Sequence, residues 1–132
     1  MNSIFKQFIK HLTVGENEVV LLDMEAGVEH FGRGVDNSVD LILMVVDPSF
    51  ESLKLTKKIQ QLGESIGKHV FFVLNKVNEQ ILPTMLESID DQSKVLAVIS
   101  ADTEIARKGL LGNELMMEIP EIHTLARKIL KQ

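Results

Sequence analysis

The sequence predicts an α/β fold, a three-layer αβα arrangement around a mainly parallel sheet of about four strands. Three observations carry this prediction. The candidate strands are short, continuous apolar runs such as Leu41 to Val46. They lack the in–out alternation of a half-solvated sheet, as strands covered on both faces do. They alternate along the chain with stretches of helical period, the order of strand–helix–strand units. Finally, 132 residues with 45% apolar and 25% charged content suit one core, so residues 1–132 are expected to form a single domain.

Each element has its own signal. Ile4, Phe5, Phe8, Ile9 and Leu12 fall at helical spacing and Gly15 follows as a stop, giving an amphipathic helix over 4–12. Glu18 to Asp23 (EVVLLD) is apolar and ends in an acid, as a buried strand would. Met24 to Ser38 has glycine, charge and histidine without a period and is expected to be a long loop or a short helix with a loop. Asp40 to Val46 (DLILMVV) is the second strand. In the next helix, Asp47 is the expected cap and Pro48 suits its first position. Leu55, Ile59, Leu62 and Ile66 form its inner face.

His69 to Leu74 (HVFFVL) is the third strand and ends at Asn75-Lys76. A helix through Leu82, Met85, Leu86 and Ile89 takes Pro83 in its first turn. Val95 to Ile99 (VLAVI) is the fourth strand. Asp102 to Arg107 reads as a short helix stopped at Gly109. Pro120 opens the last helix, with Ile122, Leu125, Ile129 and Leu130 on one side. Its Glu121 comes early and Lys128 and Lys131 late, matching the helix dipole.

Composition removes several function classes. The net charge of −5 provides no basic surface for nucleic acid. With no cysteine, disulfides, iron–sulfur clusters and thiolate zinc sites are excluded. No Trp or Tyr is present to build a base-stacking platform. The apolar runs are too short to span a bilayer, and Lys6 and Lys10 interrupt any secretory segment at the start. No membrane or nucleic-acid partner is expected, and the cytoplasm is the expected compartment.

Open parallel sheets bind ligands at the carboxyl ends of their strands. Those ends carry Asp23 and Glu25, Asp47, Asn75 with Lys76, and Ser100 with Asp102. In the string DMEAGVEHFGRG (Asp23 to Gly34), an acid closing a strand precedes a glycine-containing loop. That order suits an acid that holds the water shell of a magnesium ion near phosphates. Asn75 and Lys76 follow another strand: a side-chain amide can bond a nucleobase edge, and a lysine stem can lie along the ring. His30 beside Glu29 is one histidine and one carboxylate, too few for a metal site. Lys54, Lys57 and Lys58 read as a solvated face, and Leu115, Met116 and Met117 as packing or a contact surface.

The stretches DMEAGVEHFGRGVDNSVDLILMVVDPSFESLKLTKKI, VFFVLNKV and VISADTEIARKGLLGNEL resemble the carboxyl-terminal half of MinD/ParA-type ATPases. The most similar branch is the CooC-type accessory ATPases, which insert nickel into carbon monoxide dehydrogenase. The resemblance covers roughly residues 18 to 131 and implies a partial P-loop NTPase fold. It matches Asp23 to the acid at the magnesium water shell and Gly27 to the switch glycine. It matches Asn75 to the adenine-contacting Asn, with Lys76 its neighbour, and puts Asp102 at the base pocket. There the usual Pro-x-Asp is Ser100-Ala101-Asp102.

The family's K-G-G-x-G-K-[ST] loop has no counterpart in these residues. That loop supplies backbone N–H groups and the lysine that neutralises the phosphates, without which the charge of phosphoryl transfer has no cradle. The family's Cys-x-Cys metal site has no counterpart either. ATP and magnesium therefore enter as implied by the resemblance, not as cofactors of this chain alone. No catalytic or metal residue is expected, and the chain is not expected to hydrolyse ATP by itself. The alternative function is a partner-binding or regulatory module that keeps the fold without nucleotide chemistry.

In the family the phosphate-loop strand lies between the strands that correspond to Glu18–Asp23 and Asp40–Val46. Without it, either those two pair directly in a compact four-stranded sheet, or another polypeptide fills the slot. The expectation favours the compact sheet, with self-association across exposed apolar surface; a carbon monoxide dehydrogenase-like client is implied by the resemblance.

Overall fold

The computed structural model describes residues 7–9, 11–24 and 39–132. Strand β1 spans Leu41–Val46, helix α1 Phe50–Ser65, β2 His69–Val77 and α2 Leu82–Glu87. A 3-10 turn over Gln92–Lys94 leads into β3, Val95–Ser100, followed by α3, Thr103–Leu111, and α4, Pro120–Ile129. The three strands form one sheet in the order β1-β2-β3, parallel throughout. Each crossover carries a helix, as parallel neighbours require.

Two apolar layers flank the sheet. Val46, Val70, Phe72, Leu74 and Val77 point to one face and pack with Ile59 of α1, Met85 of α2 and Ile89. Val73 and Leu96 point to the other and meet Leu125 of α4, with Leu43, Phe71 and Ile129 around them. Helices therefore cover both faces, and the predicted αβα layering holds.

Polar groups tie the layers together. Thr56 is fully buried in α1; its hydroxyl lies 2.7 Å from the carbonyl of Leu53 and 2.8 Å from that of Ser88 at the end of α2. The Lys128 ammonium of α4 donates to the Leu96 carbonyl of β3 at 2.6 Å.

Several expectations are corrected. Among the described residues the sheet has three strands, not about four. Glu18 to Asp23 has no regular structure, and Val19, Val20 and Leu21 are exposed, Leu21 to 82%. A strand exists only when a neighbour satisfies its N–H and C=O groups, and no such ladder forms here. The direct pairing that would make a compact four-stranded sheet is thus also not observed. Cover is likewise incomplete at β1: Val45, on the α4 face, is 56% exposed, because α4 packs over β3.

Of the helix predicted over 4–12, the described residues 7–9 are helical, and the chain turns at His11. The loop, or short helix with a loop, predicted over Met24 to Ser38 lies, beyond Met24, outside the described residues. Ser49, not Asp47, caps α1, accepting from the Ser52 amide at 3.2 Å. Helix α3 runs through Gly109 and stops at Gly112, whose φ of 65° is the left-handed conformation that glycine adopts without cost.

One glycine in α1 is needed for packing. A Cβ built on Gly63 would lie 2.2 Å from Val70 Cγ2 and 3.2 Å from the Lys68 carbonyl. A Cβ on Gly109 would meet nothing within 4 Å. Gly63→Ala should therefore cost about 1–3 kcal/mol through overpacking. Gly109→Ala should add about 0.5–1 kcal/mol by restricting the unfolded chain. Urea unfolding measures both; equal effects would contradict this packing.

Candidate functional site

The sheet's carboxyl end is set by strand register. Val46 pairs with Leu74, so the residues that follow each, Asp47 and Asn75, emerge side by side although 28 positions separate them. Asn75 Nδ2 donates to Asp47 Oδ1 at 2.9 Å. The Lys76 ammonium bonds the other carboxylate oxygen, Oδ2. The Asp47 main chain is itself fixed: its N–H donates to Ser52 Oγ at 3.1 Å, and its carbonyl accepts from Ser49 at 2.8 Å.

An irregularity in β2 aims these groups. Leu74 and Val77 are three residues apart yet both point into the same core, whereas a regular strand would put them on opposite faces. The pairing with β3 shifts register between them. Within this bulge Lys76 has φ of 55°, a left-handed conformation that costs a residue with a Cβ about 1–2 kcal/mol. Such strain concentrates at functional positions.

The electrostatics favour an ionised Asp47. Partial burial pushes its carboxyl pKa up, but the hydrogen bonds from Lys76 and Asn75 and the Lys76 charge outweigh that and hold it below the usual carboxylate value. Its share of stability is therefore complete above the ordinary carboxylate range and is lost as pH falls through the lowered native value. That share is modest, about 0–1 kcal/mol, because the Asp47 and Lys76 side chains remain 42% and 63% exposed.

The expected site residues are placed unequally. Asn75 and Lys76 come together at the sheet end, joined by Asp47, which the sequence offered only as a helix cap and strand-end acid. Asp102 follows β3 at the same rim, where the adjoining Ala101 amide donates to the Val77 carbonyl at 2.8 Å. Its carboxylate caps α3, accepting from Glu104 at 2.7 Å and Ile105 at 2.9 Å. Asp23 lies in the exposed irregular segment, and Gly27 lies outside the described residues. The signal for Asp47 was the alignment of two strand ends, Val46-Asp47 and Leu74-Asn75, visible once the strands are set parallel. No cluster of three or more His, Asp or Glu that could hold a metal occurs among the described residues. None of the helices there is long and apolar enough to cross a membrane.

Lys76 makes the cost of the bulge measurable. Lys76→Ala loses the ion pair and keeps the strain; Lys76→Gly loses the pair and relieves the strain. The glycine variant should be the more stable by about 1 kcal/mol in urea unfolding. The reverse order would rule out a left-handed residue at this position.

No family model matches the chain. Over 131 residues it is 42% identical to an uncharacterized ATP-binding protein of Methanocaldococcus jannaschii, covering 99% of this chain and 52% of that protein. It is 32% identical over 105 residues to the carbon monoxide dehydrogenase accessory protein CooC of Rhodospirillum rubrum, covering 79% of this chain and 40% of CooC. The chain thus spans about half the length of the first of these relatives. Its fold matches a chain of the MinC:MinD cell division protein complex of Aquifex aeolicus with a TM-score of 0.57 at 14% identity. That match covers 73% of this chain and 45% of the other. These residues are similar to proteins named as ATP-binding and to CooC, and they share the fold of the matched chain of the MinC:MinD complex.

Proposed function

We propose that these residues form the base-side part of a nucleotide-binding unit and need a phosphate-binding loop from elsewhere to hold ATP. The observation that supports this most is the Asp47–Asn75–Lys76 cluster, a polar group at the carboxyl end of a parallel sheet, where such sheets take ligands. A half-buried side-chain amide beside a lysine stem suits a nucleobase edge. On this reading Asn75 contacts the base, Lys76 lies along it, Asp102 borders the pocket while capping α3, and Asp23 and Gly27 serve the magnesium and phosphate side. The 132 residues contain no G-x-x-x-x-G-K-[ST] string, so nothing in them supplies the amide cradle and lysine that a triphosphate needs.

The slot for the other part is the free edge of β1. Leu41–Val46 is apolar, ends the sheet order, and has no second partner among the described residues. A parallel strand from another stretch of polypeptide, added there, would satisfy its unpaired N–H and C=O groups. A client like carbon monoxide dehydrogenase rests on the CooC relationship alone.

A second reading is a partner-binding module without nucleotide chemistry. It is favoured by apolar side chains left in solvent outside the sheet end: Leu110 at 87%, Met116 at 82% and Leu130 at 68%.

Titration calorimetry with ATP, with and without magnesium, separates these from a self-sufficient ATPase. The isolated 132 residues should bind ATP more weakly than about 1 mM, under about 4 kcal/mol. Adding a polypeptide that carries a phosphate loop and its strand should bring tight, magnesium-dependent binding. Micromolar binding by the isolated chain would overturn the proposal. No gain on adding the loop-bearing partner would favour the module.

A further inference from the structure

We propose that Asp47 is a positioning residue that fixes the orientation of the Asn75 side-chain amide and thereby sets which base edge the site accepts. The inference rests on the base-side reading above and goes one step beyond it, to a residue that selects among purines.

An asparagine amide is a nearly symmetric group: rotated by 180°, it exchanges a carbonyl acceptor for an NH₂ donor. Alone at a strand end, Asn75 could present either to a ligand. Beside Asp47 it has no such freedom. An ionised carboxylate only accepts hydrogen bonds, so the NH₂ must face it, as the 2.9 Å contact from Nδ2 to Oδ1 shows. The opposite orientation would set the Asn75 carbonyl oxygen against a carboxylate oxygen. Asp47 is kept ionised in turn by Lys76 on its second oxygen. The backbone from which it projects is fixed, its N–H and carbonyl being bonded to Ser52 and Ser49, and the carboxylate itself is held by Asn75 and Lys76.

The consequence is a committed acceptor. Among the described residues no donor is bonded to Asn75 Oδ1, so that oxygen is left for a ligand that donates. A purine with an exocyclic amine at position 6 donates there. A purine with a carbonyl at position 6 presents oxygen to oxygen at that place and can pair only by shifting to bring its neighbouring N1–H to Asn75, which costs binding. The site is thus built for 6-aminopurines and against 6-oxopurines, through a carboxylate that never touches the base.

The test compares adenosine monophosphate with inosine monophosphate, which carry the same sugar and phosphate and differ in the purine ring at position 6. Both are titrated into the 132-residue chain while the Asn75 side-chain amide is followed by NMR. In the wild type, adenosine monophosphate should move that amide and bind about fivefold more tightly, the worth of one neutral hydrogen bond. In Asp47→Asn, whose partner amide can donate as well as accept, the ratio should fall to about one while the spectrum stays that of the folded chain. A merely structural role would weaken both nucleotides alike and leave the ratio intact. An unchanged ratio in Asp47→Asn overturns the orientation role and leaves the base site standing. An Asn75 amide that neither nucleotide moves, even with the loop-bearing polypeptide added, overturns the base-side reading and this inference with it. A wild-type spectrum in which the Asn75 NH₂ protons face away from Asp47 overturns the inference without any variant.

Discussion

The parallel, in-register pairing of β1 with β2 is the constraint on which this molecule depends. Pairing Val46 with Leu74 orders the two apolar layers, since it puts Val46, Phe72 and Leu74 on one face of the sheet. The same pairing delivers Asp47 to Asn75 at the next position along. A slip of one residue would turn the apolar set of β1 to the wrong face and carry Asp47 away from its partners. Core and site are therefore fixed by one register, and the bulge at Lys76 adds the final re-aiming of the strand end.

Much of the fold was legible because its signals are local. LILMVV, HVFFVL and VLAVI are strands in the structure, and Pro83 and Pro120 stand where a first helical turn accepts them. EVVLLD carries the same signal and forms no strand, because strand formation is a property of a pair. The segment has the composition of a buried strand, but nothing described lies beside it to complete a ladder.

The site was legible by halves for a similar reason. Asn75 and Lys76 could be singled out from their place after a strand. Asp47 could not be joined to them without the register. The left-handed backbone at Lys76 leaves no trace in composition, since lysine carries none of the preference for positive φ that marks glycine or asparagine. Asp102 shows the opposite case: its local chemistry, a cap accepting two amides of α3, is plain in the structure, and its place at the rim follows from β3.

The β1 edge is apolar and has no second strand partner among the described residues, and the chain spans about half the length of its ATP-binding relative. The energy that would hold a further strand is that of ordinary β pairing: unpaired backbone groups satisfied and side chains such as Val45 removed from water. Amide hydrogen exchange measures this edge most directly. Amides of β2, paired on both sides, should exchange slowest, while alternate amides along 41–46, those directed away from β2, should exchange as fast as loop amides. Uniform protection along 41–46 would contradict an open edge and show that a neighbouring strand already occupies it.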